Sequence, residues 1–130
     1  MIALHHVQVA IPPGGEEAGR RFYRDGLGLL EVEKPEPLRA RGGVWLRGYG
    51  DRGAVTAELH LGVEDPFQPA RKAHPAFAVA DEAALDATAA RLRGLGFQVD
   101  DSERSTFPGH VRMHAFDGHG NRVELLAPRV

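Results

Sequence analysis

Polar and apolar positions alternate over residues 3–11. Val7, Val9 and Ile11 fall on one face and His6, Gln8 and Ala10 on the other, the period of two that predicts a half-buried strand. Pro12-Pro13-Gly14-Gly15 ends that strand. Residues 16–25 then predict a short helix, with acids in the first turn, Ala18 and Phe22 four apart, and Gly26 as the stop. Strands are predicted over 30–34, 44–49 and 55–63, the last two joined through Gly50-Asp51-Arg52-Gly53, a hairpin composition. Residues 64–72 are polar and hold Pro66 and Pro69, which suits a connection between halves.

The pattern then begins again. Residues 74–80 predict a strand with Phe77 and Val79 on one face and His74, Ala76 and Ala78 on the other. Asp81 suits the N-cap of a helix whose apolar face is Leu85, Ala89 and Leu92, and Gly94 and Gly96 close it. Residues 97–99, 110–116 and 122–126 predict three further strands. Each half therefore reads strand, helix, then three strands, an internal repeat. Superposing the halves lays 5–11 on 73–79 and 57–61 on 123–127, so that His6 matches His74 and Glu58 matches Glu124.

That match carries the candidate chemistry. In Phe116-Asp-Gly-His-Gly-Asn-Arg-Val-Glu-Leu-Leu126 a glycine-rich turn delivers Glu124 into an apolar strand, where a carboxylate must be exposed, paired or bound to a metal. The apolar neighbours Val7, Leu59, Phe77 and Leu125 point to the helix side, so His6, Glu58, His74 and Glu124 point to the opposite, concave face. Two imidazoles and two carboxylates suit a six-coordinate divalent ion with positions left for water or substrate; two histidines and one glutamate would make the facial set of oxygen-activating iron. His60 lies two residues, roughly 7 Å, beyond Glu58 on the same strand face and competes with it for the fourth position. Repeat symmetry favours Glu58, because His60 falls opposite Leu126. Gln8 follows His6 on the concave face, and Trp45, Arg47 and Tyr49, like His110, Arg112 and His114, share strand faces that line a cavity or coat the surface.

Composition narrows the classes. A length of 130 residues with 42% hydrophobic content supports one domain with its own core. A formal charge of −2 with interspersed signs offers no basic stripe for nucleic acid or an anionic membrane, so a small molecule is the expected partner. No segment has the length and apolarity of a membrane span and the N-terminus has no basic leader, so a cytoplasmic location is expected. Cysteine is absent, leaving His, Asp and Glu as metal ligands or bases. The glycines lie in hairpins and not in a phosphate loop, and Ser102 and Ser105 lack any nucleophile elbow.

Three segments, His6-Val-Gln-Val-Ala-Ile11, Phe22-Tyr-Arg-Asp-Gly-Leu-Gly-Leu29 and Asp117 through Gly120-Asn-Arg-Val-Glu-Leu125, resemble the glyoxalase, bleomycin-resistance and extradiol-dioxygenase superfamily, the vicinal oxygen chelate fold. The resemblance covers essentially the whole chain; Gly118 departs from it, standing where many members have proline. It implies an α+β fold in which two βαβββ modules, about 1–64 and about 73–130, form a single domain over 1–130. The mixed sheet would be cleft-like and barrel-shaped, with helices outside. It implies a divalent metal, with Ni, Zn, Mn, Fe and Co all open, on His6, His74 and Glu124, with Glu58 on the fourth position used in glyoxalase I-like members. The activity implied is metal-dependent proton transfer on a small oxygen-chelating substrate, of isomerase or lyase type. Glu124 or Glu58 would act as the base, and Gln8, His60, Trp45 and Arg112 would contact substrate. The alternatives are a non-catalytic drug binder of the bleomycin-resistance kind, an iron extradiol dioxygenase, and a thiol-transfer resistance enzyme. A homodimer is expected, since family members often pair modules between chains.

Overall fold

Alternation becomes strand pairing in both halves of the chain. The computed structural model describes residues 1–130 and divides into two units, Met1–Pro69 and Ala70–Val130. No helix is long and apolar enough to cross a membrane.

The first unit runs β1 (Val7–Ile11), α1 (Glu16–Arg20), a π-helical turn (Arg21–Gly26), β2 (Leu30–Val32), α2 (Glu36–Arg39), β3 (Val44–Tyr49) and β4 (Val55–Val63). Its sheet has the order β1-β4-β3-β2, with β1 parallel to β4 and the other pairs antiparallel. Val9, Ile11, Val44, Leu46, Leu59 and Leu61 form the buried face. The helical segment covers it closely: a Cβ added at Gly19 would stand 2.6 Å from Leu61 Cδ1, so α1 lies against β4. The expected helix over 16–25 ends as a π turn, in which Leu27 N–H donates to Phe22 O five residues back at 3.0 Å. Phe22 and Tyr23 are both fully buried there, which stabilises the unit by roughly 2–3 kcal/mol each and holds the turn by packing.

The second unit runs β5 (Ala76–Ala78), α3 (Glu82–Gly94), β6 (Val99–Asp100), β7 (His110–Phe116) and β8 (Arg122–Pro128). The sheet order is β5-β8-β7-β6, with β5 parallel to β8, so the topology of the first unit is repeated. Asp81 caps α3 as its side chain predicts, accepting from Ala84 N–H at 2.8 Å. Leu85, Ala89 and Leu92 of α3 are buried, as are Val111, Met113, Ala115, Val123, Leu125 and Ala127 of the sheet.

Both units are thus βαβββ modules of an α+β fold, each with an open four-stranded mixed sheet instead of a closed barrel. Several strands are shorter than the alternation suggests. β2 stops at Val32, where its pairing to β3 ends at the Val32–Trp45 pair, and residues 33–35 lead into α2 without regular structure. β5 begins only at Ala76; Pro75 has no N–H to give, and its carbonyl accepts from Glu124 N–H at 3.0 Å. α2 has no counterpart among the predicted elements, and its Pro37 is accommodated because proline is tolerated in a first helical turn.

Candidate metal and substrate site

Register puts the polar face of each sheet together. In the first unit β1 pairs Val7 with Leu59 and Gln8 with His60, while β3 pairs Arg47 with Glu58 and Trp45 with His60. Paired residues share a face, so Gln8, His60 and Trp45 form one row and Arg47 and Glu58 the next. His6, one step before Val7, joins the Glu58 end. The imidazoles of His5 and His6 and the carboxylate of Glu58 offer ligand atoms that all lie within 4.8 Å of one another.

The Glu58 side chain is only 5% exposed, and it is held from two sides. Arg47 Nε donates to Oε1 at 2.5 Å, and His60 Nε2 lies 3.0 Å from Oε2. Burial pushes the Glu58 carboxyl up, but these two hydrogen bonds and their charges outweigh it and hold the group below its usual range. Burial pushes His60 down, with Glu58 only partly opposing, so the imidazole is neutral at pH 7 and donates its Nε2 proton to the carboxylate. His60 is also sandwiched: its ring stacks on His6 with centroids 4.1 Å apart and on Trp45 at 3.9 Å and 2°. One nitrogen of His60 is thus engaged by Glu58 and both faces of its ring are covered.

The second unit builds a related set by different contacts. Asp117 Oδ1 accepts from His119 N–H and Asn121 N–H, both at 2.9 Å, and Asn121 Oδ1 accepts from Ala70 N–H at 2.9 Å. The glycine-rich turn before Glu124 is therefore fastened to the segment that leads into β5. On β8, Glu124 is 5% exposed; its Oε1 lies 3.3 Å from His74 Nε2, 3.3 Å from Arg112 Nη1 and 3.5 Å from His114 Nε2. His74 Nδ1 is 2.9 Å from Lys72 O. A carbonyl only accepts, so Nδ1 carries a proton and Nε2 is the nitrogen that faces the carboxylate. A ring nitrogen and a carboxylate oxygen facing each other at 3.3 Å require a proton or a cation between them. That donor set fits a divalent ion.

His114 is buried and pairs across the sheet with Glu124, as Arg47 does with Glu58. Burial pushes its imidazole down, and the Arg122 charge adds to this, so it is neutral; Arg122 Nη2 lies 3.3 Å from the ring nitrogens. The structure thus brings together His6 with Glu58, and His74 with Glu124. Trp45 stands one ring from Glu58 and Gln8 beside His60. Arg112 is engaged by Glu124 and, through Nη2, by Thr106 Oγ1 at 2.8 Å. Alternation alone assigns His5 no role and leaves His114 on a face that lines a cavity or coats the surface. The signal for His114 was its place on the polar face of 110–116; only the register shows that it stands opposite Glu124.

Comparison with known proteins agrees with the fold. No curated protein matches the chain in sequence. Among solved structures, a protein from Bacillus anthracis assigned to the glyoxalase family is 38% identical with a TM-score of 0.84, covering 99% of this chain and 97% of its own. Lactoylglutathione lyase from Agrobacterium tumefaciens is 22% identical with a TM-score of 0.68, covering 96% of this chain and 92% of its own. The fosfomycin resistance protein FosX from Listeria monocytogenes, 13% identical at a TM-score of 0.70 and with 100% and 94% coverage, shares the fold. The family model of the Glyoxalase/Bleomycin resistance protein/Dioxygenase superfamily matches residues 3–125, and the chain belongs to that superfamily.

Proposed function

We propose that the chain is a metal-dependent enzyme that moves a proton on a small substrate with adjacent oxygens, with isomerase or lyase chemistry. The observation that carries this reading is His74, whose Nδ1 is committed to Lys72 O while Nε2 faces the Glu124 carboxylate. His74 and Glu124 in the second unit, and His6 and Glu58 in the first, would serve as ligands for a divalent ion, in a single vicinal-oxygen-chelate domain acting as a cytoplasmic homodimer. When bound, such an ion polarises substrate oxygens and lowers the barrier to removing a neighbouring proton.

The two carboxylates are not equivalent in this reading. Glu58 is clamped by Arg47 at 2.5 Å and its carboxyl is held low, so it serves as a permanently charged ligand and a poor base. Glu124 has only contacts of 3.3 Å or longer, from groups that can release it, and is the better candidate to accept the proton. Arg112 steadies Glu124 and offers charge to the substrate. Trp45 and Gln8 line the approach. The names of the lactoylglutathione lyase and FosX neighbours are compatible with a lyase or a resistance enzyme, while the retained histidine and glutamate pairs favour chemistry over sequestration.

The test is elemental analysis of protein purified without chelator, followed by a substrate screen with the metal found. One divalent ion per chain is expected, and His74→Ala should remove most of it. Full occupancy in a folded His74→Ala protein would sink the assignment. Incorporation of solvent deuterium into product, lost in Glu124→Gln assayed at metal concentrations that restore full occupancy, is the expected sign of Glu124 as the base.

A further inference from the structure

Beyond the histidine and glutamate sets, the first unit holds a recess of about 190 Å³ whose lining includes Gln8, Lys34, Leu38, Arg41, Trp45 and Gly62. It lies on the polar face of the sheet, since Gln8 and Trp45 both pair with His60 there. Gly62 is what lets Gln8 lie flat: a Cβ at Gly62 would stand 2.9 Å from Gln8 Cδ and Nε2.

Two cations border this recess, and neither has a carboxylate within ion-pairing distance. Lys34 Nζ gives one hydrogen to Gly42 O and keeps two. Arg41 is exposed, and its guanidinium makes no hydrogen bond. The Glu16 carboxylate, whose charge is felt by Lys34, is already bonded to Gly43 N–H at 3.1 Å. The segment that carries the cations is fixed. Arg39 Nε donates to Lys34 O at 3.0 Å, Leu38 N–H to Pro35 O at 2.9 Å and Arg41 N–H to Leu38 O at 3.2 Å.

We propose that this recess binds a carboxylate at the far end of an elongated substrate, whose other end carries the chelating oxygens. The proposal rests on the reading that Glu58 lies at the metal end. Glu58 and Gly62 are four residues apart on one strand, which sets the span at roughly 13 Å. His60 and Trp45 pave the path between, and Lys34 and Arg41 neutralise the arriving charge. A short neutral dicarbonyl compound would leave this end empty.

Trp45 is the only tryptophan, so its emission reports occupancy directly. Metal-free protein is titrated with glutarate and with its neutral diamide, with calorimetry in parallel. Glutarate should bind saturably, with a Kd on the order of millimolar, and the diamide should not. Arg41→Gln, which removes no hydrogen bond, and Lys34→Gln should each weaken glutarate about fivefold. Equal binding of acid and diamide, or unchanged glutarate affinity in Arg41→Gln, overturns the proposal. Because this experiment contains no metal, failure of the metal assignment leaves its outcome intact. Conversely, a metal-loaded protein that ignores glutarate refutes the recess alone.

Discussion

Replacing His60 decides between a ligand and a group that positions one. Its Nε2 is 3.0 Å from Glu58 Oε2 and its ring is stacked between His6 and Trp45, so three substitutions separate the contributions. His60→Phe keeps the stack and deletes the hydrogen bond; His60→Gln keeps a donor and loses the stack; His60→Ala loses both. A hydrogen bond to a charged group contributes about 1.5–3 kcal/mol and each of the two stacked ring pairs about 0.5–1.5 kcal/mol, so His60→Ala should destabilise the protein by about 2.5–6 kcal/mol and His60→Phe by less. Metal affinity should follow the hydrogen bond. Without it Glu58 keeps Arg47 but gains freedom about its terminal torsion, a loss of about 10–100-fold, or about 1.4–2.7 kcal/mol. Glu58→Gln, which removes the ligand charge itself, should cost considerably more. The assay is competition of metal-loaded protein against a chelating dye, with circular dichroism confirming the fold. If His60→Phe lost as much affinity as Glu58→Gln while His60→Gln failed to recover any, His60 would be the ligand and the assignment of Glu58 would fall.

Gly43→Ala should be among the most damaging substitutions in the first unit: φ is +89° there, and a Cβ would stand 2.1 Å from Leu61 O, so a loss of about 3 kcal/mol or more is expected in urea unfolding. The Glu16 carboxyl is held below its usual value of 4.5, chiefly by the hydrogen bond from Gly43 N–H, so its contribution is complete above about pH 4.5 and is lost as pH falls through the lower folded-state value. The stability difference between wild type and Glu16→Gln should therefore shrink between about pH 6 and pH 3, and a difference that grew on acidification would contradict the sign. Asn121→Ala, which strands Ala70 N–H and loosens the turn before Glu124, should cost about 2–3 kcal/mol in the same unfolding assay. Sedimentation at high concentration should give a dimer, and a species of 14.1 kDa alone would refute that expectation.

Strands and capping were the readable part of the sequence, because both are local. Alternation over 44–49, 55–63 and 110–116 gives the observed β3, β4 and β7 bounds, and Asp81 caps α3. The π turn at Arg21–Gly26 was not readable, since tertiary burial of Phe22 and Tyr23 sustains it against the ordinary helical ladder. The repeat matches His6 to His74 and Glu58 to Glu124, and strand parity sets each of them on the polar side of its sheet. Neither shows what surrounds each carboxylate. Arg47 and His114 were each seen on a polar face, but only cross-strand register sets them against Glu58 and Glu124, and register depends on turns that the alternation does not fix. The recess beside Trp45 was likewise hidden, because α2 and its flanks carry no apolar period.

The parallel pairing of the first and last strands in each unit also governs how these groups come into being. His74 and Glu124 are 50 residues apart, and β5 meets β8 only after α3, β6 and β7 have been traversed. Closing so long a segment is entropically slow, and it comes late because the antiparallel β7–β8 hairpin can form on its own first. On the ribosome, the second set cannot exist until β8 has emerged behind β5. An ion bound by both members would therefore arrive at a finished module, and would slow unfolding while leaving the refolding rate unchanged.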